Sequence, residues 1–213
     1  MAGHDSAMPV SSQIPSALVL LDYFGIVVFA ISGALVAAEK RQDFFTFVFF
    51  AVVTGVGGGT LRDLLIGAPF FWVRTNATLL ICIGAATLVW FVRRRRFAGK
   101  ALLWSDAAGM AAYAAYGSAK ALGYGVAPVP AFAMGVMTAC VGGIIRDVLA
   151  GEPSVLMRRE LYVTPAALSA GLFVGLRVAH LAVWPAAVVA IAAGFALRGM
   201  AIARGWSLPA YKD

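Results

Sequence analysis

The sequence predicts an all-α integral membrane protein with seven transmembrane helices, arranged as two inverted three-helix repeats plus a seventh helix. Three observations carry that reading. Of 213 residues, 62% are hydrophobic and 13% charged, whereas soluble domains carry about 25% charge. That much apolar surface cannot be hidden inside a soluble domain of this size, so the expected solvent is lipid. Seven apolar stretches approach the roughly 20 residues that a helix needs to cross the hydrocarbon; they cover residues 18–38, 44–66, 77–92, 102–122, 131–150, 164–182 and 184–203. Finally, the chain matches itself when shifted by 84 positions.

That shift lays residues 54–69 over 138–153 with eight of sixteen positions identical: Thr54/Thr138, Gly58/Gly142, Gly59/Gly143, Arg62/Arg146, Asp63/Asp147, Leu65/Leu149, Gly67/Gly151 and Pro69/Pro153. Asp22 and Asp106, Gly25 and Gly109, Gly33 and Gly117, and Ala37 and Ala121 match at the same offset. Three spans per copy is an odd number, so the second copy enters the membrane from the opposite face. Inverted repeats of this kind build transport proteins whose path runs near the midplane. The chain then divides into an extracytoplasmic tail (1–17), a first repeat (18–92), a basic cytoplasmic linker (93–101), a second repeat (102–182), a seventh helix (183–203) and a cytoplasmic tail (204–213).

The first span follows a tail without Lys or Arg, so it lacks the charged start of a cleavable signal and is expected to be retained. Lys40 and Arg41, Arg93 to Arg96 with Lys100, Arg158 with Arg159, and Arg204 with Lys212 fall on one side of the membrane by parity. Arg74 and Arg177 fall on the other. Short basic loops are cytoplasmic, which puts the N-terminus outside and the C-terminus inside. Arg93, Arg94, Arg95 and Arg96 either set this topology or hold anionic lipid headgroups. The net charge of +7 follows these loops instead of striping a helix, so nucleic acid is not an expected partner.

The second and fifth spans contain Gly57, Gly58 and Gly59, and Gly142 and Gly143. Each glycine weakens a helix by about 1 kcal/mol relative to alanine, so the clusters favour a kink or an unwound turn that exposes backbone to a polar path. The alternative is close helix packing. Arg62 and Asp63, and Arg146 and Asp147, follow within one turn. Turn counting places Asp22 beside Arg62 near the outer face and Asp106 beside Arg146 near the inner face, which would leave Asp63 and Asp147 freer to meet cations. Static pairing of all six charges is the alternative. Lys120 matches Val36 and has no charged counterpart. It either snorkels to the headgroups or serves as a gating charge. The stripes Asp22, Gly25, Phe29, Gly33, Ala37 and Asp106, Gly109, Tyr113, Gly117, Ala121 read as packing seams, as do Gly171 and Gly175.

Cys82 and Cys140 lie in apolar runs and are too few for a four-ligand zinc site. His4 and His180 sit in no catalytic or metal motif, and no phosphate or dinucleotide fingerprint is present, so an enzyme is not expected and no cofactor is implied. The duplicated motif, Gly57-Gly58-Gly59-Thr60-Leu61-Arg62-Asp63 and Gly142-Gly143-Ile144-Ile145-Arg146-Asp147, resembles that of the trimeric intracellular cation (TRIC) channel family in its prokaryotic branch. The resemblance covers nearly the whole chain. It implies a homotrimer in a prokaryotic plasma membrane, with one pore per subunit for potassium and also sodium. The implied path is lined by Thr54, Gly57, Gly58, Gly59, Arg62, Asp63, Thr138, Gly142, Gly143, Arg146 and Asp147. Val141 stands where the first copy has Gly57, so exact pore symmetry is not expected. A carrier of small solutes such as glycine is the alternative function on the same repeat.

Overall fold

A computed structural model describes residues 16–92, 98–157 and 160–207. It contains seven α-helices: α1 Ser16–Glu39, α2 Phe44–Leu65, α3 Asn76–Phe91, α4 Ala98–Gly123, α5 Pro128–Leu149, α6 Val163–Val178 and α7 Val183–Arg204. Each expected span is a helix. Some of the expected starts and ends shift: α4 begins four residues earlier than expected. α5 begins three residues earlier than expected, because prolines in its first turn leave no needed donor unpaired. α6 ends four residues earlier, with His180 just beyond it in a left-handed conformation. The basic cluster Arg93 to Arg96 lies outside the described residues.

By length and hydropathy α1, α2, α5 and α7 are each apolar enough to cross a membrane, and α3 and α6 are shorter apolar helices. α4 is long but carries charge, and packing explains how it can. It touches α1, α5, α6 and α7, and from Asp106 to Ala121 nearly every residue is buried. A helix enclosed by protein meets no lipid, so it need not be apolar all round. Large apolar side chains such as Phe45, Leu80, Phe91, Val129 and Val188 are instead exposed on the outside of the single chain.

The two repeats fold alike. α1 packs on α2 and α3 as α4 packs on α5 and α6, and the related helices α1 with α4 and α2 with α5 meet at the centre. α7 rests against α6 and α4. The helix ends repeat in detail: Ile66 and Ala150 cap α2 and α5 by donating to the Arg62 and Arg146 carbonyls. Gly67 and Gly151 follow with φ of 67° and 68°, a left-handed turn that favours glycine. At the start of α2, Asp43 accepts hydrogen bonds from the Thr46 amide and hydroxyl, both 3.0 Å. These bonds hold its carboxyl below the ordinary range.

Candidate functional site

The sites expected from the sequence fall at three levels along the central helices. The middle level holds the glycines and threonines. α2 and α5 stay α-helical through Gly57 to Gly59 and through Gly142 and Gly143, so neither helix has an unwound turn there. The glycines make a crossing instead. A Cβ added at Gly58 would strike the Thr138 carbonyl, and one at Gly142 would lie 2.5 Å from the Thr54 carbonyl oxygen. The same threonines meet the flanking seams: a Cβ at Gly33 would lie 2.6 Å from Thr54 Oγ1, and one at Gly117 2.6 Å from Thr138 Oγ1. Close packing, the alternative raised from the sequence, is what these glycines accomplish, and it leaves no room for an ion between α2 and α5 at this level. The seams behave as expected on either side of the crossing, with Gly25 against the Tyr113 ring and Gly109 against Phe29. Gly171 approaches Phe132, whereas a Cβ at Gly175 would meet nothing within 4 Å.

The second level lies at the face where α1 begins, hereafter the first face. Asp22, Arg62, Asp63 and Lys120 are all buried there. Arg62 donates from Nε (2.9 Å) and Nη2 (2.7 Å) to Asp63 Oδ1. Lys120 Nζ donates to both oxygens of Asp63, at 2.8 and 3.0 Å. Asp63 is therefore the hub of two cations rather than the freer carboxylate expected, and Lys120 turns inward instead of snorkelling. Among the described ion pairs none joins Asp22 to Arg62. Tyr116 stands beside the guanidinium instead, its ring centre 5.1 Å from the Arg62 guanidinium carbon. Phe71 covers the cluster from the α2–α3 connection, 5.7 Å from Lys120 Nζ and 6.0 Å from Arg62.

The third level is the equivalent cluster at the opposite, second face. Arg146 donates from Nη1 to Asp106 (2.8 Å) and to Ser32, and from Nε to Asp147 (2.9 Å). Its Nη2 lies 2.8 Å from the same Asp147 oxygen. One guanidinium thus holds two carboxylates. A cavity of about 210 Å³ reaches this cluster from outside, enough for several waters. Among the described residues, Glu39, Asp106, Asp147, Glu152 and Glu160 line it together with Lys40, Arg146 and Arg198. Lys40 and Glu152 form an ion pair of 2.5 Å beside it.

Two further residues, Arg198 and Tyr162, join this end of the molecule outside the repeated motif. Arg198 is buried on α7 and reaches Glu160 (2.9 Å) and the Leu161 carbonyl (2.8 Å), with its guanidinium 5.4 Å from the Tyr162 ring centre. Its signal was an arginine in the middle of an apolar helix. Tyr162 packs against Gly143: a Cβ there would lie 2.7 Å from the Tyr162 oxygen, which accepts and donates no hydrogen bond. Gly143→Ala is expected to lower the melting temperature in detergent, and Tyr162→Phe, which removes the obstructing oxygen, to restore part of the loss. Equal melting of Gly143→Ala and the double variant would refute that contact.

The repeat recurs in comparisons with known proteins. The sequence model of a family described as "Glycine transporter" matches twice, at residues 19–94 and 103–178, two segments 84 residues apart. A UPF0126 membrane protein of Vibrio cholerae is 45% identical over 161 residues, 74% of this chain and 67% of that protein. The UPF0126 inner membrane protein YadS of Escherichia coli is 42% identical over 147 residues, 68% of this chain and 71% of that one. Among solved structures, the TRIC trimeric intracellular cation channel orthologue from Rhodobacter sphaeroides superposes with a TM-score of 0.85 at 43% identity, covering 90% of this chain and all of that one. The chain belongs to the prokaryotic TRIC family. A second prokaryotic TRIC channel, in 0.5 M KCl, matches with a TM-score of 0.83 at 30% identity, over 91% of this chain and 99% of that one. As a TRIC-family protein the chain is a multi-pass membrane protein, and the solved structures that share its fold are channels, not enzymes.

Proposed function

We propose that the chain is a channel for monovalent cations, potassium and also sodium. Its working form is a homotrimer with one path per subunit, in the inner membrane of a prokaryote. The second face and the C-terminus lie on the cytoplasmic side, as the basic loops favour. The observation that carries this reading is the second-face cavity, wide enough for water, lined among the described residues by five carboxylates and three cations, and leading inward to Asp106, Arg146 and Asp147. Such a vestibule concentrates cations. Thr54, Gly57, Gly58, Gly59, Thr138, Gly142 and Gly143 form the closed middle of the path, and Arg62 and Asp63 its first-face end. Lys120 is the gating charge: seated on Asp63, it seals that end, and conduction requires it to move.

A carrier of small solutes such as glycine is the second reading. The crossing closed at Gly58 and Gly142, between two differently arranged ends, suits alternating access, and the matched family is described as a glycine transporter. Purified protein in a planar bilayer under a potassium chloride gradient decides between them. Discrete openings that reverse toward the potassium equilibrium potential are expected, with Lys120→Ala increasing the time spent open. Silence in the bilayer together with saturable glycine uptake into proteoliposomes would overturn the channel reading.

A further inference from the structure

The connection from α2 to α3 passes over the first-face cluster as a short 3₁₀ turn, Phe71–Val73. Phe71 itself is half-buried, whereas the charges beneath it, Arg62, Asp63 and Lys120, are buried. The Lys120 ammonium lies 5.7 Å from the centre of the Phe71 ring and the Arg62 guanidinium 6.0 Å. Gly59 lets the ring come this close. A Cβ there would lie 2.6 Å from Phe71 Cε1, so a larger residue would push the ring outward. Two hydrogen bonds fix the turn over this socket. The Phe71 amide donates to Asp63 Oδ2 (3.3 Å), the oxygen to which Lys120 Nζ also donates (3.0 Å). Trp72 Nε1 donates to the Thr60 hydroxyl (2.9 Å), which donates in turn to the Val56 carbonyl (2.7 Å). The second repeat has none of these parts at the matching positions: the 84-residue shift lays Val155, Leu156 and Ile144 against Phe71, Trp72 and Thr60. Leucine and isoleucine cannot form the Trp72–Thr60 bond. The three-helix unit therefore folds without the ring and its latch, and their presence in the first repeat calls for another reason.

We propose that Phe71 is the plug of the first face: a ring seated against Gly59, tied to Asp63 and Thr60 through its turn, that keeps water and ions from the Arg62, Asp63 and Lys120 cluster. Its consequence for conduction rests on the channel reading, but the exclusion of water does not. In a channel, that end opens only when the ring leaves Gly59 as well as the ammonium leaving Asp63. One oxygen, Asp63 Oδ2, holds both the turn and the ammonium, so release of either loosens the other. Gly59 is then a socket as well as part of the glycine triplet, which separates its role from that of Gly58 at the crossing.

Thiol labelling and bilayer recording test this. Lys120→Cys places a thiol beneath the ring, and Cys82 and Cys140 are buried, so reaction beyond that of the unaltered chain reports on position 120. With a membrane-impermeant cationic methanethiosulfonate, Lys120→Cys is expected to react slowly, and Lys120→Cys/Phe71→Ala about tenfold faster, because the thiol is then open to solvent. Gly59→Ala supplies an independent variant: it displaces the ring without altering it and gives α2 a better helix former. Lys120→Cys/Gly59→Ala is therefore also expected to react faster than Lys120→Cys. A rate unchanged in either double variant overturns the proposal, whether or not the protein conducts. In the bilayer, Phe71→Ala alone is expected to increase the time spent open severalfold. Equal open times in Phe71→Ala and the unaltered channel overturn the part of the plug in conduction while the channel reading stands. Absence of cation current in the unaltered protein overturns the channel reading, and the labelling rates still decide the plug.

Discussion

Gly58→Ala should destabilise the folded protein and Gly57→Ala, one residue earlier, should not. The two glycines lie in the same helix and the same triplet, so helix propensity treats them alike: alanine gains about 1 kcal/mol at either position. Their neighbours differ. A Cβ on Gly58 would meet the Thr138 carbonyl oxygen and, at 3.1 Å, its carbon. These are backbone atoms of α5, and they yield only if the two helices separate. A Cβ on Gly57 would meet the tip of Ile145 at 3.1 Å, a flexible end that can rotate away. Forcing a methyl into a closed contact costs about 1–3 kcal/mol, which at Gly58 exceeds the propensity gain. Gly142→Ala should behave like Gly58→Ala, because the repeat places it against the Thr54 carbonyl. Thermal unfolding in detergent, followed by the loss of the monodisperse peak, should rank Gly58→Ala and Gly142→Ala below the unaltered protein, with Gly57→Ala at or above it. Similar melting of Gly57→Ala and Gly58→Ala would mean that the crossing is not the tight contact described.

The architecture was readable because hydropathy and the 84-residue shift are properties of the chain alone. Every span formed a helix, and the equivalence of Asp106–Arg146 to Asp22–Arg62 was visible as matched positions. What matched positions do not reveal is how the surroundings differ. Asp106 meets Arg146 beside a serine, while Asp22 meets the tyrosine that takes Ser32's place at the other end. Lys120 and Asp63 are 57 residues apart, with no periodicity to join them. Parity alone puts both near the first face, which would have been enough to suggest the pair. The glycine clusters were ambiguous for a different reason: a missing Cβ permits a kink, a close approach or both, and the close approach is revealed only by the position of the partner helix's carbonyl. Arg198 was legible as a buried charge on an apolar helix, but its partners Glu160 and Leu161 lie in a connection where hydropathy carries no information.

Asp63→Asn is expected to be among the most damaging single changes at the first face, and part of the damage should be reversed by removing Lys120. Asp63 is fully buried and serves two cations at once, Arg62 at 2.7 Å and Lys120 at 2.8 Å. Asparagine keeps the shape and an acceptor oxygen but loses the charge. Two buried cations are then left with Asp22, which forms no ion pair with either of them among the described pairs. Breaking a buried pair by removing one partner costs about 3–5 kcal/mol, because the remaining charge stays desolvated. Lys120→Met alone is milder, since it leaves Asp63 bonded to Arg62 and removes a cation along with its need for solvation. In Asp63→Asn/Lys120→Met the buried charges are Arg62 and Asp22, which sum to zero, so the double variant should melt above Asp63→Asn. The cycle isolates the Lys120–Asp63 coupling if neither single change creates a new contact. Strict additivity of the two changes in melting free energy would show that Lys120 and Asp63 do not act as a pair, and the seal at the first face would have to be sought in Phe71 and Tyr116 instead.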